Sequence, residues 1–285
     1  MGDSEVQRVL PDDQWQRFDW KRRVAAGLLG ENLARNAVRP LNLAQSWVNY
    51  TLTDAGRANR AYIKRFKNLH EGRRCVIIGN GPSLRNTDLS LLRDEYTFGL
   101  NRIYLMFEEL GFKTTFHVVT NGLVVEQFAD DFKKIESPLF TTVRNRQFLE
   151  GAPDTGFLHN VVGPWFSRDA SRGVWQGHTV TYVAMQLAYF MGFSEVVLVG
   201  VDHRFAVSGT PNQVVESAGP DASHFDSRYF AKGVKWQLPD LDRSALSYEI
   251  AREAFEADGR RILDATVGGA LTVFPKTSLE KALWQ

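Results

Sequence analysis

Five consecutive residues, Gly79-Asn80-Gly81-Pro82-Ser83, are of the types that hold an anion without supplying a formal charge. Glycine lets the backbone approach a ligand closely and proline suits the first turn of a helix. The peptide N–H groups of such a turn, with the Ser83 hydroxyl, can then point at a phosphate. Asn80 adds an amide that both donates and accepts. Asn101, Asn121 and the run Asp202-His203-Arg204 each follow an apolar stretch, which would bring them together at neighbouring strand ends. Amides at successive strand ends can read a ribose or a base edge, a chemistry that suits a nucleotide with one phosphate. No lysine follows the glycine turn as a triphosphate-binding loop requires, and Arg85 is the nearest cation. A single asparagine is more often a turn residue or cap, because it tolerates left-handed backbone; three in register point to a site.

Those groups need a frame, and the hydrophobic pattern predicts one. Cys75 to Ile78 reads as a buried parallel strand, Tyr96 to Leu100 as a second and Thr115 to Thr120 as a third, with helices over Arg102 to Leu110 and Val124 to Ile135. Thr179 to Met191 is an apolar helix stopped by Gly192, Glu195 to Val199 a strand closed by Gly200, Ser244 to Ala257 a helix ended by Asp258-Gly259, and Arg261 to Leu263 a last strand. The fold class expected is α/β, a Rossmann-like, mostly parallel sheet flanked by helices, with its ligand crevice at the carboxyl ends of the strands.

Residues 71–285 would form this nucleotide-binding domain, with a lid-like loop over 204–241. Residues 1–70 precede it as a helical N-terminal extension. From Asp13 to about Phe66 that extension reads helical, with Trp15, Phe18, Trp20, Val24, Leu28 and Leu29 on one stripe and a break at Arg39-Pro40. Its Lys21-Arg22-Arg23 cluster fits a solvated edge of a packed helix or a peripheral membrane contact, packing being favoured. Within the lid, Tyr229, Phe230 and Trp236 could stack on a sugar or pack the lid down; both stay open. His178 would face the crevice, Asp264-Ala265-Thr266 and Gly268-Gly269 would floor it, and His70, His117 and His159 would be structural.

Composition excludes several classes. A chain of 285 residues that is 44% hydrophobic and 12% aromatic can bury a large core. Lys+Arg 34 against Asp+Glu 33 gives a net charge of +1, so no nucleic-acid partner is expected. The single cysteine, Cys75, rules out an internal disulfide framework and any multi-cysteine metal site, and its place in a strand predicts a buried structural thiol. No apolar run reaches the roughly 20 residues of a membrane span. A polar, acidic start lacks the secretory pattern, and the cytoplasm is the expected location, with membrane association left open.

Six pieces in order carry a resemblance. Gly79 to Leu84 is Gly-Asn-Gly-Pro-Ser-Leu; Asn101-Arg102-Ile103-Tyr104 is Asn-x-x-Tyr; Asn121 follows the next strand. Thr179-Val180-Thr181 opens an apolar helix ending in Gly192-Phe193, Gly200-Val201-Asp202 follows a strand, and Ser223-His224-Phe225 lies further on. Over roughly Arg74 to Phe255 this resembles the small bacterial sialyltransferases that use CMP-sialic acid, glycosyltransferase family 42. The architecture is also similar to the motility accessory factor proteins. Both resemblances fall within the broad group labelled 6-hydroxymethylpterin diphosphokinase-like, domain of unknown function 115.

The resemblance implies a sugar transferase with a CMP-activated nonulosonic sugar as donor, a glycan, lipid or protein acceptor, no cofactor and no metal. Nucleotide binding would fall to Gly79, Asn80, Gly81, Pro82, Ser83, Asn101, Asn121, Thr179, Val180, Thr181 and Asp202. Catalysis would involve His224 or His203 as base, with Arg204 and Arg228 at positions where the family carries a tyrosine and a second histidine. An arginine could replace a tyrosine there because guanidinium binds phosphate oxygens bidentately. A Mg-dependent 6-hydroxymethylpterin pyrophosphokinase, a non-catalytic nucleotide-binding module and a homo-oligomer remain open alternatives. The kinase would need clustered carboxylates, which this sequence does not display near the glycine turn.

Overall fold

The computed structural model describes residues 45–207 and 209–284, so the expected helices over residues 13–44, with the Lys21-Arg22-Arg23 cluster, lie outside the described residues. Strand β1 (Arg74–Ile78) sets the architecture. Cys75 and Ile77 enter one apolar layer and Val76 and Ile78 the other, because successive side chains of a strand leave opposite faces. A strand that is apolar on both faces needs cover on both, which crossover-connected parallel strands provide.

The remaining strands are β2 (Thr97–Leu100), β3 (Phe116–Val118), β4 (Leu139–Thr142), β5 (Thr155–Leu158), β6 (Glu195–Val199), β7 (Val214–Glu216), β8 (Lys235–Gln237) and β9 (Arg261–Asp264). Seven of the nine form one parallel sheet in the order β5-β4-β3-β2-β1-β6-β9, while β7 and β8 pair antiparallel on their own. The chain therefore runs outward from β1 to β5 and then returns to lay β6 on the other side of β1. That reversal makes the gap between the carboxyl ends of β1 and β6 the topological switch point, where open α/β sheets bind ligands.

Helices α1 (Asp54–Lys64), α2 (Phe107–Leu110), α3 (Gly122–Gln127), α4 (Ala129–Phe132), α5 (Val180–Phe190), α6 (Leu241–Glu256) and α7 (Leu279–Trp284) surround the sheet. Helix α5 is apolar all round because it is buried all round, packed between β1, β2 and β3 on one side and α6 on the other. Thr179 caps its start by accepting from the Thr181 N–H, and Gly192, at φ 93°, lets the chain leave its end.

The structure departs from the sequence expectation in five places, the first being that the helix expected over Arg102 to Leu110 is a 3₁₀ turn (Ile103–Met106) followed by the single turn of α2. The turn after β1 continues as two short 3₁₀ segments, Pro82–Asn86 and Leu89–Leu92, not as an α-helix, so no long helix starts at the glycine turn. The helix expected over Val124 to Ile135 is split into α3 and α4 at Phe128, whose φ and ψ of −126° and 27° are not helical. Strands β4 and β5 lie where no strand is expected; each is only four residues long and follows a turn rather than a long apolar run. Finally, the segment 204–241 is not an open loop but contains the β7–β8 hairpin.

Candidate functional site at the strand ends

At the switch point the two glycines serve the meeting of two strand ends. A Cβ on Gly79 would fall on the Gly200 carbonyl of β6's exit, and one on Gly81 on the Asp202 carboxylate. Neither glycine has a left-handed φ, so what they supply is room. Gly200 itself turns at φ 67°. This close approach lets Asp202 reach Ser83: the Ser83 N–H donates to Oδ1 at 3.2 Å and the Ser83 hydroxyl to Oδ2 at 2.6 Å. The donors expected to face a phosphate are held here by a carboxylate of the same chain. Pro82 is exposed at the outer side of the turn.

The three asparagines occupy three successive strand ends, in different circumstances. Asn80, 9% exposed, accepts the Phe225 N–H at 2.9 Å through its backbone carbonyl, while its side-chain Oδ1 is buried without a partner among the described residues. Asn101 sits at φ 46°, its carbonyl accepting from the His117 ring 2.6 Å away, and its Oδ1 is likewise buried and without a partner among the described residues. Asn121 is the N-cap of α3, accepting from the Leu123 and Val124 N–H groups at 2.9 and 3.4 Å. Its amide nitrogen reaches Gln237 in β8 at 3.4 Å. Burial lowers the pKa of His117 to about 4, with the bond to Asn101 partly opposing, so the ring is a neutral prop under the β2 end.

The segment 204–241 lies down over these ends. Besides the Phe225 bond to Asn80, Arg85 Nε donates to the Phe225 carbonyl at 2.8 Å, and Arg102 Nη1 donates to the Arg228 carbonyl at 3.0 Å and to the Tyr229 carbonyl. Tyr229, Phe230 and Trp236 are all buried. Phe230 stacks on Trp236 and His224 on Tyr229, the latter with centroids 3.9 Å apart and planes 8° from parallel. Between stacking on a ligand and packing the lid, the structure has them packing the lid.

His224 is the best supported side chain there. Its Nδ1 lies 2.7 Å from Asp221 Oδ2, and Asp221 is itself fixed by the Ser223 and Phe230 N–H groups at 2.7 and 3.1 Å. A carboxylate on Nδ1 holds the tautomer in which Nε2 carries the lone pair. Arg228 instead turns outward, 70% exposed, with its guanidinium bidentate on Asp226 at 3.0 and 2.6 Å, which lowers the pKa of that carboxyl. Arg204 is exposed and donates to the Gly268 carbonyl.

His203 belongs to the other side of the sheet. It stands at φ 54° with its ring 6.1 Å from that of Tyr248 in α6, and burial lowers its pKa, Asp242 opposing and Lys276 assisting. Thr179 lies 3.4 Å from the Tyr248 hydroxyl; Thr181 is buried, Val180 half-buried. His178, also at positive φ, is 3.9 Å from Asp240, an acid at the start of α6. The two candidate bases are therefore separated: His224 packs with the layer that carries the lid aromatics, His203 against the layer that carries α5 and α6.

Beyond β9, residues 265–269 and 276–280 with Asn86, Thr87 and Asp88 line a cavity of about 430 Å³. Its wall is tied to the switch point, since Thr266 Oγ1 accepts the Val201 N–H at 3.1 Å and the Asp202 carbonyl accepts the Ala270 N–H at 2.9 Å. Sequence reasoning saw the 264–269 turn but not its partner wall, which comes from the 3₁₀ turn after β1 and the entrance to α7. It also missed Asp221, whose only local signal is its spacing of three from His224, and gave Arg102 no role of its own.

A parallel sheet whose strand order reverses between β1 and β6 and which carries polar groups at the ends of its strands defines a Rossmann-like α/β protein. The chain belongs to the family described as 6-hydroxymethylpterin diphosphokinase MptE-like, which matches residues 51–208. Among solved structures, that of the MAf glycosyltransferase from Magnetospirillum magneticum AMB-1 is similar at 14% identity and a TM-score of 0.46, over 77% of this chain and 38% of that one. The chain thus spans less than half of that protein's length. Among curated proteins none matches. No helix among the described residues is long and apolar enough to cross a membrane.

Proposed function

We propose that the chain is a glycosyltransferase that takes a CMP-activated nonulosonic sugar and passes it to a hydroxyl acceptor, with His224 as general base. The observation that carries this reading is the Asp221–His224 pair, 2.7 Å apart, one residue from the Phe225 N–H that bonds the end of β1. In the reaction the acceptor oxygen bonds to the anomeric carbon, the bond from that carbon to the CMP phosphate oxygen breaks, and CMP departs with the electron pair. The acceptor proton passes to His224 Nε2, and Asp221 stabilises the imidazolium that forms. The unpartnered Oδ1 atoms of Asn80 and Asn101 are acceptors for ribose hydroxyls or the cytosine amino group. His203 is the less favoured base, since no carboxylate stands at hydrogen-bond distance from its ring among the described residues.

The family's label favours a second reading, an ATP-dependent pterin diphosphokinase, for which Asp202 at the switch point would be a metal ligand. Against it, no three metal-ligating side chains converge among the described residues, and Asp202 is engaged by Ser83. CMP release from a CMP-sugar should fall by roughly 10² to 10⁴ in His224→Ala, with CMP affinity kept, and much less in His203→Ala. AMP release from ATP with 6-hydroxymethylpterin as diphosphate acceptor that stops in EDTA and returns with Mg²⁺, in a protein that releases no CMP, would transfer the assignment to the diphosphokinase.

A further inference from the structure

Arg102 is 6% exposed, yet no carboxylate lies within ion-pair distance of it among the described residues. A buried guanidinium without a counter-charge is costly, and proteins retain one where a charge is to be met. The surroundings of Arg102 hold it in place without neutralising it. Nε donates to the Tyr104 hydroxyl at 3.0 Å, Nη1 to the Arg228 and Tyr229 carbonyls, and the guanidinium lies 3.6 Å from the centroid of Phe128. The Tyr104 hydroxyl in turn lies 3.2 Å from Asp131 Oδ2, so that acid meets Arg102 through the tyrosine and not directly. Nη2 has no partner among the described residues, so one edge of the fork is free to receive an oxygen without rearrangement.

Its position gives that free edge a destination. Arg102 directly follows Asn101 at the end of β2, where the Asn101 amide faces the Tyr229 hydroxyl. The guanidinium is 5.8 Å from the Tyr229 centroid, and the same ring stacks on His224. Two unpartnered amide oxygens, at Asn80 and Asn101, lie at the same strand ends and are nine-tenths buried in the first case. The ligand to be held there thus needs hydrogen-bond donors for the amides and one anionic oxygen for the guanidinium.

The geometry points to Arg102 as the phosphate-recognition residue of the crevice: its guanidinium, fixed by lid carbonyls, receives the phosphate of a nucleoside monophosphate unit. This rests on the reading that the crevice holds a nucleotide, and it assigns the charge neutralisation that neither the glycine turn nor Arg204 and Arg228 supplies. Ser83 is spoken for by Asp202, Arg228 by Asp226, and Arg85 by Glu109 at 2.8 Å.

Calorimetric titration of CMP, cytidine, pyrophosphate and ATP into wild-type protein, Arg102→Gln and Arg102→Lys tests this, with melting curves to verify that the variants fold. Wild type should bind CMP about 10- to 100-fold more tightly than cytidine, the increment of a charge-assisted bond to phosphate. Arg102→Gln should reduce that ratio to near unity while leaving cytidine affinity in place, and Arg102→Lys should fall between. An unchanged CMP-to-cytidine ratio in Arg102→Gln overturns the proposal, as does an equal loss for both ligands, which would make Arg102 a brace of the lid only. If wild type binds pyrophosphate or ATP but neither cytidine nor CMP, and Arg102→Gln loses that binding, Arg102 keeps its role and the cytidine reading fails. Binding of none of the phosphate compounds to wild type removes the proposal.

Discussion

Replacing Gly81 by alanine tests whether the glycine turn serves the meeting of strand ends. The new Cβ would fall on Asp202 Oδ2 and stand 2.9 Å from the Gly200 carbonyl oxygen. Asp202 is half-buried and its carboxylate is the far end of a side chain, so it can swing away, but only by leaving Ser83. Two hydrogen bonds to a charged acceptor are then lost. At the lower end of the range for a group that water can reach, this costs about 2 to 4 kcal/mol in all. Asp202→Ala removes the same two bonds and should cost about as much. If the carboxylate is the main obstacle, Gly81→Ala adds little once Asp202 is gone. The double variant should then cost about the same as Asp202→Ala alone, a coupling of about 2 to 4 kcal/mol in a urea-unfolding cycle. Gly79→Ala is the control. Its Cβ meets backbone, with the Gly200 carbonyl carbon 2.7 Å away, so Asp202→Ala should not rescue it. Additive costs for Gly81→Ala and Asp202→Ala, or rescue of Gly79→Ala, would refute the reasoning.

The buried His117 ring, its pKa lowered to about 4 from 6.5, makes stability pH-dependent: the unfolded chain binds the proton more tightly, so stability is full above 6.5 and falls as pH drops towards 4, by about 3 kcal/mol. Urea midpoints at pH 7 and pH 4.5 should differ less in His117→Gln than in wild type, and an equal difference would contradict the assignment. Asn121 caps α3, so Asn121→Ala should cost about 1 kcal/mol and Asn121→Ser recover most of it. Thermal unfolding of the two variants checks this, and indistinguishable midpoints would count against the cap.

Local sequence was sufficient wherever a pattern was long and one-sided in meaning. The β-branched run of β1, the apolar run of β6 stopped by Gly200 and the all-apolar α5 bounded by Thr179 and Gly192 could be read directly, because burial on every side leaves a continuous apolar signal. From those three elements the α/β class and the crevice at the strand ends followed. Strands β4 and β5 were not legible, since Leu139–Thr142 and Thr155–Leu158 each hold only two adjacent apolar residues beside threonine or glycine, which neither alternate nor form a run. The glycine turn shows why residue types alone do not assign roles. Gly79, Gly81 and Ser83 suggest a phosphate seat, but the choice between ligand and neighbouring strand depends on what β6 brings to the same place. That is Asp202, 119 positions away in the chain. Asn121 is a local case, its oxygen going to two N–H groups of its own helix. Arg102 depends on how segment 204–241 lies on the strand ends, because the Arg228 and Tyr229 carbonyls become its partners only there, whereas the Asp221–His224 pair is local to that segment. Sequence set the elements and the stock of polar groups at their ends, through periodicity and turn chemistry. Which groups are satisfied within the protein and which are left for a ligand was decided by long-range packing, because a hydrogen bond belongs to a pair and the second member lay far along the chain.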